Sequence, residues 1–131
     1  MVYCLIILAT NGVKQCGVLS AVIFSLYIDG LLVRLVKATV GCYVGVYFTG
    51  ALAYADDIVL LAPTASAMRK MLQYSDEYAA EFSINFNANK SKCLIAAPRR
   101  RRYLLKKSDI CSFIVGGKSI EFVDFFHTSW T

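Results

Sequence analysis

The chain is poor in the residues that staple or punctuate a small fold. Among its 131 residues are only two prolines, Pro63 and Pro98, and one histidine, His127. A lone histidine with no companion ligands argues against a zinc site. The five cysteines, Cys4, Cys16, Cys42, Cys93 and Cys111, are odd in number and scattered, with no Cys-x-x-Cys pair. Reduced thiols in an intracellular compartment, cytoplasm or nucleus, are the expectation. Charged residues make up 18% of the chain, below the share of an average domain. No apolar run reaches the ~18 residues that a membrane span needs. The longest are Val2–Ala9 and Val18–Ile28, the second interrupted by Ser20 and Ser25, so no membrane partner is expected. The first residues also lack the basic n-region and small-residue cleavage site of a secretory leader.

What is present is apolar. Hydrophobic residues account for 57% of the chain and mean hydropathy is +0.54, which excludes a disordered segment. The length suits one domain, large enough to bury a core without a disulfide or metal. So little charge on so apolar a chain reads as part of something larger, with a face meant to be covered. Fourteen basic residues against nine acidic give a net charge of +5, which favours a polyanionic partner.

Hydrophobic patterning predicts a buried strand at Val2–Ala9 and a helix over Val18–Val36 with Gly30 as a soft spot inside it. Val40–Phe48, β-branched and aromatic, reads as a strand ending at Phe48-Thr49-Gly50. Two apolar runs, Ala51–Ala55 and Ile58–Ala62, flank Asp56-Asp57 and read as a hairpin with the acids at its tip. Pro63 stops that strand, and Thr64 or Ser66 can cap the next helix. There Met68, Met71, Leu72, Ser75, Tyr78, Ala79 and Phe82 keep the spacing of one apolar face, which is core rather than a cofactor box. Ile84–Phe86 reads as a short strand, Asn87–Lys90 as a turn and Cys93–Ala97 as another strand. A last hairpin is expected around Gly116-Gly117, with Phe122, Phe125 and Phe126 either packed against a further part of a larger fold or exposed. The basic loop 99–107 opens with Arg99, Arg100, Arg101 and Arg102. It fits either a grip on nucleic-acid phosphates or a solvated loop.

Asp56 and Asp57 carry the chemistry. Two adjacent carboxylates between apolar strands repel and are poorly solvated. Water at an exposed tip, a nearby cation or one protonated Asp would relieve them. A divalent metal relieves them best, because Mg²⁺ takes one or two carboxylates plus substrate phosphate oxygens, the arrangement that runs nucleotidyl transfer. Taken alone, an Asp-Asp pair is better read as an Asx-type turn with two solvated acids, since so short a motif matches by chance.

The wider order of motifs resembles the palm of a reverse transcriptase of the non-LTR (LINE-like) retrotransposon family. Tyr54-Ala55-Asp56-Asp57 matches that family's Y-x-D-D hairpin. Gly12–Ser20 (GVKQCGVLS) resembles its G-V-[KR]-Q-G-x-x-L-S segment, and Ile23–Asp29 the helix that follows. The helix Ser66–Phe82 with Asn85–Lys92 resembles the next block, with its I-N-x-x-K-[ST] ending. The resemblance implies an α/β (α+β) fold: a partial polymerase palm, with an antiparallel sheet bearing the Tyr-Ala-Asp-Asp hairpin and backed by two helices. It implies RNA-directed DNA synthesis on an RNA template and DNA primer with deoxynucleoside triphosphates, and Mg²⁺ (or Mn²⁺) as cofactor. Asp56 and Asp57 would hold the metal, Tyr54 would pack under the site, and Gln15 and Gly17 would contact template and incoming nucleotide. Lys90 would face the triphosphate.

The chain departs from the family at Cys16, where glycine is usual, at Ala21, where proline is usual, and at Gly30, where an acid is common. The fingers, the thumb and the upstream aspartate block (F-x-D-x-x-x-A-F) are not found within residues 1–131. A partial reverse transcriptase domain, inactive by itself, is therefore the expectation. The alternatives are a non-catalytic nucleic-acid-binding remnant, or an interaction module docking on a larger polymerase fragment.

Overall fold

A computed structural model describes residues 3–10, 18–54, 57–96 and 112–123. The apolar segment Tyr3–Thr10 forms strand β1, and it lies in the middle of a five-stranded sheet. The hairpin β4 (Ala51–Tyr54) and β5 (Asp57–Ala62) lies on one side of it, β6 (Phe86–Ala96) on the other, and β9 (Glu121–Phe122) at the far edge. β1 pairs antiparallel with both β5 and β6. The sheet is antiparallel as expected across β4, β5, β1 and β6, and β9 joins β6 in parallel at its edge.

Strand periodicity splits the sheet into two unlike faces. On β5, Ile58, Leu60 and Ala62 are buried, whereas Asp57 is exposed and Val59 and Leu61 are half-buried. One rung runs Ala51–Leu60–Ile6–Cys93 and ends on Phe122. Its first four members are buried, with Leu60, Ile6 and Cys93 at 0% exposure. Each fully buried aliphatic side chain contributes about 1.5–3 kcal/mol relative to its exposed state.

Helices α1 (Val18–Lys37) and α2 (Ala65–Phe82) cover this face, with Ile28, Leu31 and Leu35 of α1 meeting Met68, Met71, Leu72 and Tyr78 of α2 in one core. Thr64 caps α2, its side chain accepting from the Ala67 N–H, which selects Thr64 over Ser66. Phe82, expected in the core stripe, is 39% exposed. No helix among the described residues is long and apolar enough to cross a membrane.

Three local expectations are corrected. Val40–Phe48 is not one strand but the small hairpin β2 (Tyr43–Val44) and β3 (Tyr47–Phe48), broken where Gly45 adopts φ +62°. The expected short strand at Ile84–Phe86, turn at Asn87–Lys90 and second strand at Cys93–Ala97 are instead one strand, β6. Phe122 does not face open solvent but packs on the core beside Phe113, while Phe125 and Phe126 lie outside the described residues. The Gly116-Gly117 hairpin forms as expected between β7 (Ile114–Val115) and β8 (Lys118–Ser119), both glycines at positive φ. It is fastened to α2 by the Gly116 N–H donating to Asp76 Oδ1 at 3.1 Å.

Gly30 does not weaken α1. It makes room for Tyr78, whose hydroxyl donates to the Tyr27 carbonyl. A Cβ at Gly30 would overlap that hydroxyl and stand 3.2 Å from the ring Cζ.

Two predictions follow from this packing. Gly30→Ala should destabilise by about 1–3 kcal/mol through overpacking despite the better helix propensity of alanine. Adding Tyr78→Phe, which removes the overlapping hydroxyl, should recover most of the loss in a denaturant titration. Burial raises the Asp76 carboxyl above its ordinary value of 3.8, against a smaller lowering by the Gly116 N–H. A raised acid pKa means that the native state holds its proton more tightly than the unfolded chain. Stability is therefore lost as pH rises through the native pKa. Asp76→Asn keeps an acceptor for Gly116 and removes the charge, so its melting temperature should exceed the native one at neutral pH. That difference should vanish below pH 3.8.

Candidate active site

Two paired apolar strands, β4 of four residues and β5 of six, bring the acidic hairpin to one end of the sheet. Tyr54 and Asp57 are Cα partners at the end of the β4–β5 ladder, so only residues 55 and 56 separate the paired strands. Asp56 lies outside the described residues. Asp57 opens β5 and is exposed on the face opposite the helices. Tyr54, expected to pack beneath the site, is 69% exposed on the same face as its rung partner Asp57.

The rung continues inward. Asp57 pairs with Ala9 of β1, and Ala9 pairs with Asn87 of β6. With strands about 4.8 Å apart, the Asp57 and Asn87 backbones stand on the order of 10 Å from each other. Beyond Asn87 the register breaks. β1 advances from Ala9 to Ile7 while β6 advances from Asn87 to Lys92. Leu8 alone therefore faces the four residues Ala88–Ser91. This is a large bulge of the kind that re-aims side chains.

The bulge is tied from within. Asn87 Oδ1 accepts from the Asn89 and Lys90 N–H groups at 3.1 and 3.2 Å, and Ser91 Oγ donates to the Asn87 carbonyl at 2.7 Å. Ala88 and Ser91 are buried, while Asn89 and Lys90 are exposed. In the sequence Asn87 figured as a turn-former and as a member of the block Asn85–Lys92, with no role of its own. Its spacing to Lys90 and Ser91, in Asn-x-x-Lys-Ser, was the signal for this cage.

The structure thus brings Asp57, Tyr54 and the Lys90 bulge to one end of the sheet. Gln15, Gly17 and Arg99, Arg100, Arg101 and Arg102 lie outside the described residues, as does the basic loop 99–107. Among the described residues no group of three or more His, Cys, Asp or Glu is placed to hold a metal ion. Asp57 still offers a hard oxygen donor on an open face. That suits Mg²⁺, which needs only one or two protein carboxylates when phosphate and water fill its remaining positions. Cys42 and Cys93 are buried reduced thiols, and burial pushes the Cys42 thiol up, so it is inert packing rather than a nucleophile.

If the Asn87 and Ser91 ties set the bulge, Ser91→Ala should lower stability by about 1–2 kcal/mol, because it removes a buried hydroxyl bond. It should also speed amide hydrogen exchange at Asn89 and Lys90 more than in α2.

Residues 6–115 match the family model described as reverse transcriptase (RNA-dependent DNA polymerase). The chain is 32% identical over 114 residues to the Retrovirus-related Pol polyprotein from type-2 retrotransposable element R2DM of Drosophila melanogaster, covering 84% of this chain and 10% of that one. It is 31% identical over 110 residues to the Retrovirus-related Pol polyprotein from type-1 retrotransposable element R2 of Nasonia vitripennis, covering 84% and 11%. The chain spans about a tenth of the length of these curated relatives.

Proposed function

The chain belongs to the reverse transcriptase family, and on that premise we propose that its acidic hairpin and its β6 bulge are two parts of one nucleotidyl-transfer site for RNA-directed DNA synthesis. The observation that carries this reading is the shared rung: Asp57, Ala9 and Asn87 align across three strands at one end of the sheet.

In this reading Asp56 and Asp57 hold Mg²⁺ or Mn²⁺. When bound, the ion neutralises phosphate charge and lowers the pKa of the attacking hydroxyl. The chain's own side chains do the rest. A primer 3′-hydroxyl oxygen would bond to the α-phosphorus of a deoxynucleoside triphosphate, its proton passing to solvent, while the bond from that phosphorus to the bridging oxygen breaks to release pyrophosphate. The Lys90 ammonium stabilises the developing negative charge on the leaving phosphates, or supplies their proton. Gln15 and Gly17 line the template and nucleotide pocket, and the latter gives the ligand close approach to backbone. Tyr54, exposed beside Asp57, flanks the open face. Arg99–Arg102 grip template or primer phosphates.

Two carboxylates hold Mg²⁺ firmly only once substrate phosphate oxygens complete its shell. Residues 1–131 are therefore proposed to bind metal and nucleotide together, with sustained primer extension requiring further polymerase sequence. The exposed apolar residues of α1, Val22, Leu26 and Val33, favour docking against further polymerase sequence, and primer extension restored by an upstream polymerase fragment added in trans would support that.

Binding of dTTP measured with and without Mg²⁺ tests the site. Asp57→Asn should weaken the magnesium-dependent part about tenfold or more, the size of a lost charge-assisted contact. Binding unchanged in both Asp56→Asn and Asp57→Asn would instead indicate a remnant that binds nucleic acid through charge alone. Replacing Arg99–Arg102 by alanine should flatten the log–log salt dependence of RNA binding by roughly 3, as four phosphate contacts are lost.

A further inference from the structure

The β6 bulge is built differently from an ordinary strand irregularity. One side chain, Asn87, satisfies two consecutive donors, the N–H groups of Asn89 and Lys90. The same residue's carbonyl is taken by the Ser91 hydroxyl, and Ser91 is 0% exposed. The segment is thus closed at both ends, and Ala88 and Ser91 anchor it inward. Lys90 is turned out to solvent, yet its backbone is held by the residue that shares a rung with Ala9 and Asp57. A lysine side chain is a long flexible stem with a point charge. Its position relative to the acids is set by where its backbone is held.

We propose that Asn87 is a positioning residue for Lys90, fixing the bulge so that the lysine ammonium stands at the triphosphate end of the site while Asp57 stands at the metal end. This rests on the reading of the site as a nucleotidyl-transfer centre. Only a short side chain with an oxygen acceptor reaches both N–H groups from position 87. Asparagine does so as a neutral side chain.

The test is chemical labelling of Lys90 by pyridoxal 5′-phosphate, a phosphate-bearing aldehyde that forms an imine with lysine and is fixed by borohydride. Labelling is read by mass spectrometry at increasing magnesium dTTP. In the native chain dTTP should protect Lys90. Asn87→Ala should raise the dTTP concentration needed for protection about tenfold, the scale of a lost aligned contact. Asn87→Asp, which keeps the acceptor, should restore protection to within a few-fold of native. Leu72→Ala, a core truncation in α2, controls for lost stability and should leave protection unchanged. Should Asn87→Ala fail to fold, Asn87→Gln carries the test: it keeps the amide but moves the oxygen one methylene away, and the same loss is expected. Native-like protection in Asn87→Ala or Asn87→Gln would overturn the positioning role and leave the nucleotide site standing. No protection of Lys90 by magnesium dTTP in the native chain would overturn the site itself, and with it the proposal.

Discussion

The double pairing of β1 is the constraint from which the rest follows. A strand bonded on both edges cannot slip in register without breaking two ladders, and a slip of one residue would turn Ile6 out of the core. Because Ile6 lies in the wholly buried rung with Leu60 and Cys93, the register is set by hydrophobic burial rather than by turn preference. That burial places Asp57 and Asn87 on either side of Ala9. The polar end of the sheet is thus a consequence of the apolar row three rungs away.

The same alternation explains why the molecule has one covered face and one open face. Ile58, Leu60 and Ala62 meet the helices, while Asp57, Val59 and Leu61 look the other way. The 57% apolar composition is not fully absorbed by the core. Leu26 on α1 and Val44, Val46 and Tyr47 on the β2–β3 hairpin remain exposed.

What the sequence made legible was the acidic hairpin and both helices. Apolar runs on each side of Asp56-Asp57, and a clean helical stripe from Met68 to Ala79, are local patterns with local causes. What it hid depended on distant partners. Asn87-Ala88-Asn89-Lys90 is rich in turn-formers, and only the β1 edge across from it makes those residues part of a bulged strand. Val40–Phe48 has uniform strand propensity, and Gly45 at positive φ divides it. The parallel pairing of Lys92 with Glu121 and of Cys93 with Phe122 has no sequence signature. Gly30 looked like a defect in a helix until Tyr78, contributed by the other helix, was seen to occupy the space beside it.

The order of the strands carries a kinetic consequence. β1 comes before every strand it needs: Cys4 waits for Ala62, and Tyr3 waits for Ala96. Contacts so distant along the chain make for slow folding, since loop-closure entropy is lost before any pairing rewards it. During synthesis the greasy Tyr3–Thr10 segment would leave the ribosome with both edges unsatisfied, until the β4–β5 hairpin and then β6 arrive to enclose it. In that interval it is a natural client for chaperones, and the step most exposed to misassembly is the capture of this early strand by its late neighbours.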